Sequence, residues 1–226
     1  IVPFITERNG YAEVGYVKYS GGTFTDSSSW SYNIITDNNS GFTSADIFIA
    51  HRIVGQIDSS GFLYLLIRAD NASSDSSKYI LYKINTSDPT SFEKYEFGSQ
   101  SGDGGDYDFD MKLNNNKPAI VYKKIGRTTD DIQIRYREFT GDTFTDDNSY
   151  SDVFVWGARQ SMEDRIQLFF DADQNVYISH SIVVPTTLNQ HKIIYFARPD
   201  HKFNNTEWET NRTLWSTEDE AFKTPI

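Results

Sequence analysis

Tyr16-Val-Lys-Tyr-Ser-Gly-Gly-Thr-Phe-Thr-Asp26 returns later in the chain as Tyr136-Arg-Glu-Phe-Thr-Gly-Asp-Thr-Phe-Thr-Asp146. Each copy runs from a β-rich stretch with apolar and aromatic side chains into a Gly-containing turn, so the phrase predicts a strand and the start of a hairpin. Two weaker copies extend the series. They are Tyr79-Ile-Leu-Tyr-Lys83 followed by Phe92-Glu-Lys-Tyr-Glu-Phe97, and Lys192-Ile-Ile-Tyr-Phe-Ala197 followed by Asn205-Thr-Glu-Trp208. With Tyr16, Tyr82, Tyr136 and Tyr195 taken as equivalent, the period is about 60 residues, which marks a repeat of β-units.

Working outward, each full unit carries two further strand-like runs upstream of its phrase. These are Asp46–Ala50 then Phe62–Ile67, Tyr107–Met111 then Pro118–Tyr122, and Arg165–Phe170 then Val176–Ser179. Turn residues separate the pairs: Asp58-Ser-Ser-Gly61, Asn114-Asn-Asn-Lys-Pro118 and Asp171-Ala-Asp-Gln-Asn175. Four strands per unit follow. A four-stranded meander cannot bury both faces alone, and radial stacking would solve that problem. The sequence therefore predicts an all-β fold, a β-propeller of about four blades with four-stranded antiparallel sheets, with a β-sandwich as the competing arrangement. The approximate units are 1–44, 45–99, 105–156 and 163–215, with 216–226 as a closing or linking tail of one domain, 1–226. The first unit is short by two strands. The propeller is accordingly expected to be completed by the tail, to be incomplete, or to be part of a larger one.

The 226 residues suffice for a sizeable core, and aromatic residues make up 15% of them, as suits sheets packed through large side chains. The 32 acidic residues against 21 basic ones give a net charge of -11, and Lys and Arg are scattered. Nucleic acid is excluded as an expected partner, because phosphate binding needs a concentrated positive footprint. No long apolar run predicts membrane insertion. Cysteine is absent, and Asn-x-Ser/Thr sequons occur at Asn38, Asn71, Asn85, Asn204 and Asn211. With the composition rich in Thr, Asn, Ser and Tyr, the sequons point to an extracellular, cell-surface or virion-surface setting, and the missing cysteines favour a prokaryotic or viral origin over an animal one.

Chemistry has few places to reside, since no phosphate-binding Gly loop, His-Glu-x-x-His or Gly-x-Ser-x-Gly appears. Asp106, Asp108 and Asp110 alternate along one run, so their carboxylates share a strand side and repel unless neutralised. Ca2+ is the cation such hard oxygen ligands would take, and capping or solvation of the carboxylates is the alternative. Asp171-Ala-Asp173-Gln-Asn175 reads as turn chemistry. His51 and Arg52 lie near one strand end, and Tyr177 and His180 near another. A His–Tyr pair with an Arg to clamp a carboxylate would suit elimination from a uronic acid polysaccharide, and these four are the catalytic candidates. For ligand binding the candidates are Arg68 and Trp156, the latter as a sugar-stacking ring. Trp30 and Trp208, in corresponding outer segments, read as packing residues.

Lys117-Pro-Ala-Ile-Val-Tyr-Lys123, Asn175-Val-Tyr-Ile-Ser-His180 and the Gly-x-Thr-Phe of Gly21–Phe24 and Gly141–Phe144 resemble the sialidase-like, BNR-type repeats of sialidases, polysaccharide lyases and lectins. The resemblance implies a propeller and glycan-directed function. The Asp-box of that family has a Ser and an Asp four and two positions before its Gly; Val17 and Tyr19, and Arg137 and Phe139, stand there instead. The family's arginine triad and Tyr–Glu pair have no matching positions. The expected function is therefore carbohydrate binding, with a His/Tyr/Arg polysaccharide lyase or hydrolase and a surface assembly protein, joined to neighbouring chains, as alternatives.

Overall fold

The computed structural model describes residues 1–8, 11–35, 52–71, 76–101, 108–125, 132–141, 151–156, 166–174, 176–184, 190–198 and 209–217. Fifteen strands account for most of them. They are β1 (Val2–Arg8), β2 (Tyr11–Tyr19), β3 (Trp30–Ile35), β4 (Ile53–Ile57), β5 (Phe62–Asn71), β6 (Ser76–Asn85), β7 (Phe92–Ser101), β8 (Phe109–Asn114), β9 (Lys117–Ile125), β10 (Ile132–Glu138), β11 (Ser151–Trp156), β12 (Ile166–Phe170), β13 (Val176–Val184), β14 (Gln190–Arg198) and β15 (Glu209–Thr217). They form four separate antiparallel meanders, β1-β2-β3, β4-β5-β6-β7, β8-β9-β10-β11 and β12-β13-β14-β15. The expected run Asp46–Ala50 lies outside the described residues, and the first strand of the second sheet is β4.

The all-β class holds, but the β-propeller, and with it a sialidase-like fold, is corrected. Each sheet is open, its strands in linear order with the first and last not paired to each other, and none is closed or curled into a blade ring. The repeated phrase specifies the penultimate strand and the turn after it. That is hairpin chemistry, which carries no instruction about how successive sheets are set against one another.

The phrase itself is well explained. Tyr16 is in the second of three strands, Tyr82 and Tyr136 in the third of four, and all three are buried. Each is therefore one strand from the last, and among the described residues the first sheet has no counterpart of the opening strand of the others. Gly21 and Gly141 hold φ of 99° and 116°, the left-handed region that side chains disfavour, which fixes glycine at matched positions in the turn.

The chain divides into two compact units, Ile1–Gly104 and Gly105–Ile226. In the first, Val14, Tyr16 and Ile35 of the β1–β3 sheet pack against Leu63, Leu65, Ile67, Ile80, Tyr82 and Ile84 of the β4–β7 sheet. Burying each such side chain is worth about 1.5–3 kcal/mol against leaving it in water. Pro3 of β1 fits against Gly55 of β4, where a Cβ would lie 3.0 Å from the Pro3 ring. β7 carries charged residues on both of its faces. Glu96 bonds Lys78 at 2.7 Å and Lys94 at 2.8 Å, and Lys83 bonds Glu93 at 3.1 Å. Burial raises the Glu96 pKa, and the two lysines outweigh it and leave the carboxyl below its ordinary value. Such pairs add little stability but keep an edge strand soluble.

In the second unit β8 and β12 lie side by side, and two carboxylates bridge them. Asp108 Oδ2 accepts the Ile166 N–H at 2.5 Å, and Asp110 Oδ2 accepts the Leu168 N–H at 2.9 Å. The other oxygen of each takes the N–H of its own successor, Phe109 at 3.0 Å and Met111 at 2.9 Å. Side chains two apart at the start of β8, Asp108 standing just before the strand, thus meet amides two apart on β12.

Candidate functional site

Antiparallel register places directly opposed residues on one face. In the first sheet, Val2 opposes Val17 and Val17 opposes Tyr32; Phe4 opposes Gly15 and Gly15 opposes Ile34; Tyr19 opposes Trp30. These positions make the face turned away from the core formed by Val14, Tyr16 and Ile35. At these positions it is apolar, yet Tyr32 is 59% exposed and Val2 54%. On β5 an equally unbroken run, Leu63 to Arg68, is buried along its whole length. A strand apolar on both sides is the mark of a sheet covered on both. The first sheet has that sequence and one open face.

Its rings are held in place. At Gly15 a Cβ would lie 2.5 Å from both Phe4 Cζ and the Asn33 carbonyl, so the missing side chain is what lets the Phe4 ring cross β2. Tyr32 stacks on Phe4, centroids 4.6 Å apart and planes 17° from parallel. One side of the Tyr32 ring is thereby covered, and its exposure leaves the other open.

A second group follows at the β2–β3 turn. Tyr19, Phe24 and Trp30 form a mutual cluster, with centroids 5.1 Å apart for Tyr19–Trp30, 4.9 Å for Phe24–Trp30 and 5.7 Å for Tyr19–Phe24. The Trp30 indole N–H donates to the Phe24 carbonyl at 2.9 Å, and the Tyr19 hydroxyl donates to the Gly22 carbonyl. Phe24 nevertheless remains 68% exposed. Asp26 caps the 3-10 turn Ser27–Ser29 by accepting the Ser28 N–H at 2.9 Å, which fixes the turn that carries Phe24. That backbone bond, joined by one from the Ser28 side chain, holds the fully exposed Asp26 carboxyl below its ordinary pKa. Glu13, opposite Thr6, shares the face at its other end. By the same register Arg8, opposite Tyr11, belongs to this face next to Glu13, its side chain outside the described set.

The residues singled out in the sequence fall elsewhere. His51 and Asp106 lie outside the described residues. Arg52 stands just before β4 in the first unit, whereas Tyr177 and His180 belong to β13 in the second. The Tyr177 hydroxyl donates to Asp171 Oδ2 at 2.7 Å, while Asp171 Oδ1 takes the Asp173 N–H at 3.0 Å. His180 pairs through its backbone with Ile166 and Ile194. Arg68 is buried on β5 opposite Tyr79. Trp156 ends β11 opposite Ile132, its side chain outside the described set. Asp108 and Asp110 are brought together, as inter-sheet acceptors. Among the described residues no group of three or more His, Cys, Asp or Glu is arranged to hold a metal ion.

Tyr177 and Asp171 have a counterpart that the sequence reading missed. Asp58 Oδ1 accepts the Ser60 and Phe62 amides at 2.8 and 2.9 Å, and its Oδ2 accepts the Tyr64 hydroxyl at 3.4 Å. The same six-residue Asp-to-Tyr spacing in two sheets makes this a repeated turn brace. Burial, then the charge of Asp58 and its hydrogen bond, then the charge of Glu93, push the Tyr64 phenol up to about 12.

Compared with protein-family models and with curated proteins, the chain matches none. Among the described residues no helix is long and apolar enough to cross a membrane.

Proposed function

We propose that the chain is a carbohydrate-recognition module acting at an extracellular surface, and that the open face of the first sheet is its binding surface. The observation that carries this reading is the exposure of Phe24 and Tyr32 although both rings are fixed by stacking and turn bonds. Sugars present C–H faces that stack on such rings, and a ring already immobilised gives up little entropy on binding. The hydroxyls of Tyr19 and Tyr32 and the carboxylate of Asp26 supply polar groups at the rim. The sequons and the composition rich in Thr, Asn, Ser and Tyr fit an extracellular setting.

A glycan array tests the reading directly. Retention is expected for the native chain and loss of it for Phe24→Ala, whose exposed ring contributes little to the core. Retention unaffected by Phe24→Ala and Tyr32→Ala would remove the face from the account.

A second reading, assembly with a neighbouring chain through the same face, is favoured by its aliphatic members Val2, Val17 and Ile34. Protein partners bury such residues readily. Sedimentation velocity separates the two: the binding module stays monomeric over a wide concentration range, and an assembly protein associates and is dispersed by Tyr32→Arg.

A further inference from the structure

We draw no further inference here: the strongest candidate, the open ring-bearing face of the first sheet around Phe4, Tyr32 and the Tyr19–Phe24–Trp30 cluster, belongs to the site already described, and nothing in the structure shows what covers it.

Discussion

Asp110 of β8 holds Leu168 of β12 by a 2.9 Å hydrogen bond from the Leu168 amide to its Oδ2, across a gap of 58 residues in sequence. With Oδ1 on the Met111 amide, a buried carboxylate serves as a staple between two sheets that share no backbone ladder. Asp108 repeats the arrangement one pleat away.

Asp110→Ala should therefore destabilise the second unit by about 2–3 kcal/mol, because a buried amide loses a charged acceptor. Asp108→Ala, less buried, should cost about 1–2 kcal/mol. Urea unfolding followed by circular dichroism measures both. An effect below about 0.5 kcal/mol at Asp110 would show that the staple is dispensable.

Gly15→Ala should cost more than Gly21→Ala. At Gly15 the new methyl meets the Asn33 backbone oxygen and the Phe4 ring at 2.5 Å, an overpacking that typically costs about 1–3 kcal/mol. At Gly21 nothing lies within 4 Å, so only the strain of a positive φ remains, about 1 kcal/mol. Gly15→Ala should also displace Phe4 from Tyr32 and weaken glycan binding, which Gly21→Ala should not do through that contact.

Tyr64 gives a pH signature. Its phenol loses its proton near 12 in the folded chain and near 10 when unfolded. Below pH 10 both states hold the proton, and the contribution of this group to stability is fully present. Between 10 and 12 the folded state holds a proton that the unfolded state has released, so stability falls as pH rises through that window. Asp58→Asn, which removes the negative charge and leaves the burial, should bring the phenol part of the way back. Tyrosine-labelled NMR titration, assigned with Tyr64→Phe, reads the shift; a phenol titrating at 10 in the native chain would contradict it.

Much of the fold was written in the repeated phrase. Tyr16, Tyr82 and Tyr136 are buried on corresponding strands, and Gly21 and Gly141 share a left-handed turn, because strand pairing and turn chemistry are local and leave a residue-level mark. The arrangement of sheets leaves no such mark, and there the propeller expectation failed. Asp108 and Asp110 were legible as a charged pair on one strand side. Their partners were not, because a backbone amide has no letter in the sequence. The open face was encoded in Val14-Gly-Tyr-Val17, apolar on both strand sides, but that pattern records only that two faces need covering. Trp30, read from its position as a ring packed between units, packs instead within its own hairpin on Tyr19 and Phe24, at the surface.

The central claim is that Tyr32, Trp30 and Phe24 bind a glycan. Fluorescence titration with oligosaccharides, taken as the difference between the native chain and Trp30→Phe, tests it most directly. The account predicts a saturable Trp30 signal and its loss in Phe24→Ala. A Trp30 signal indifferent to every oligosaccharide would contradict it.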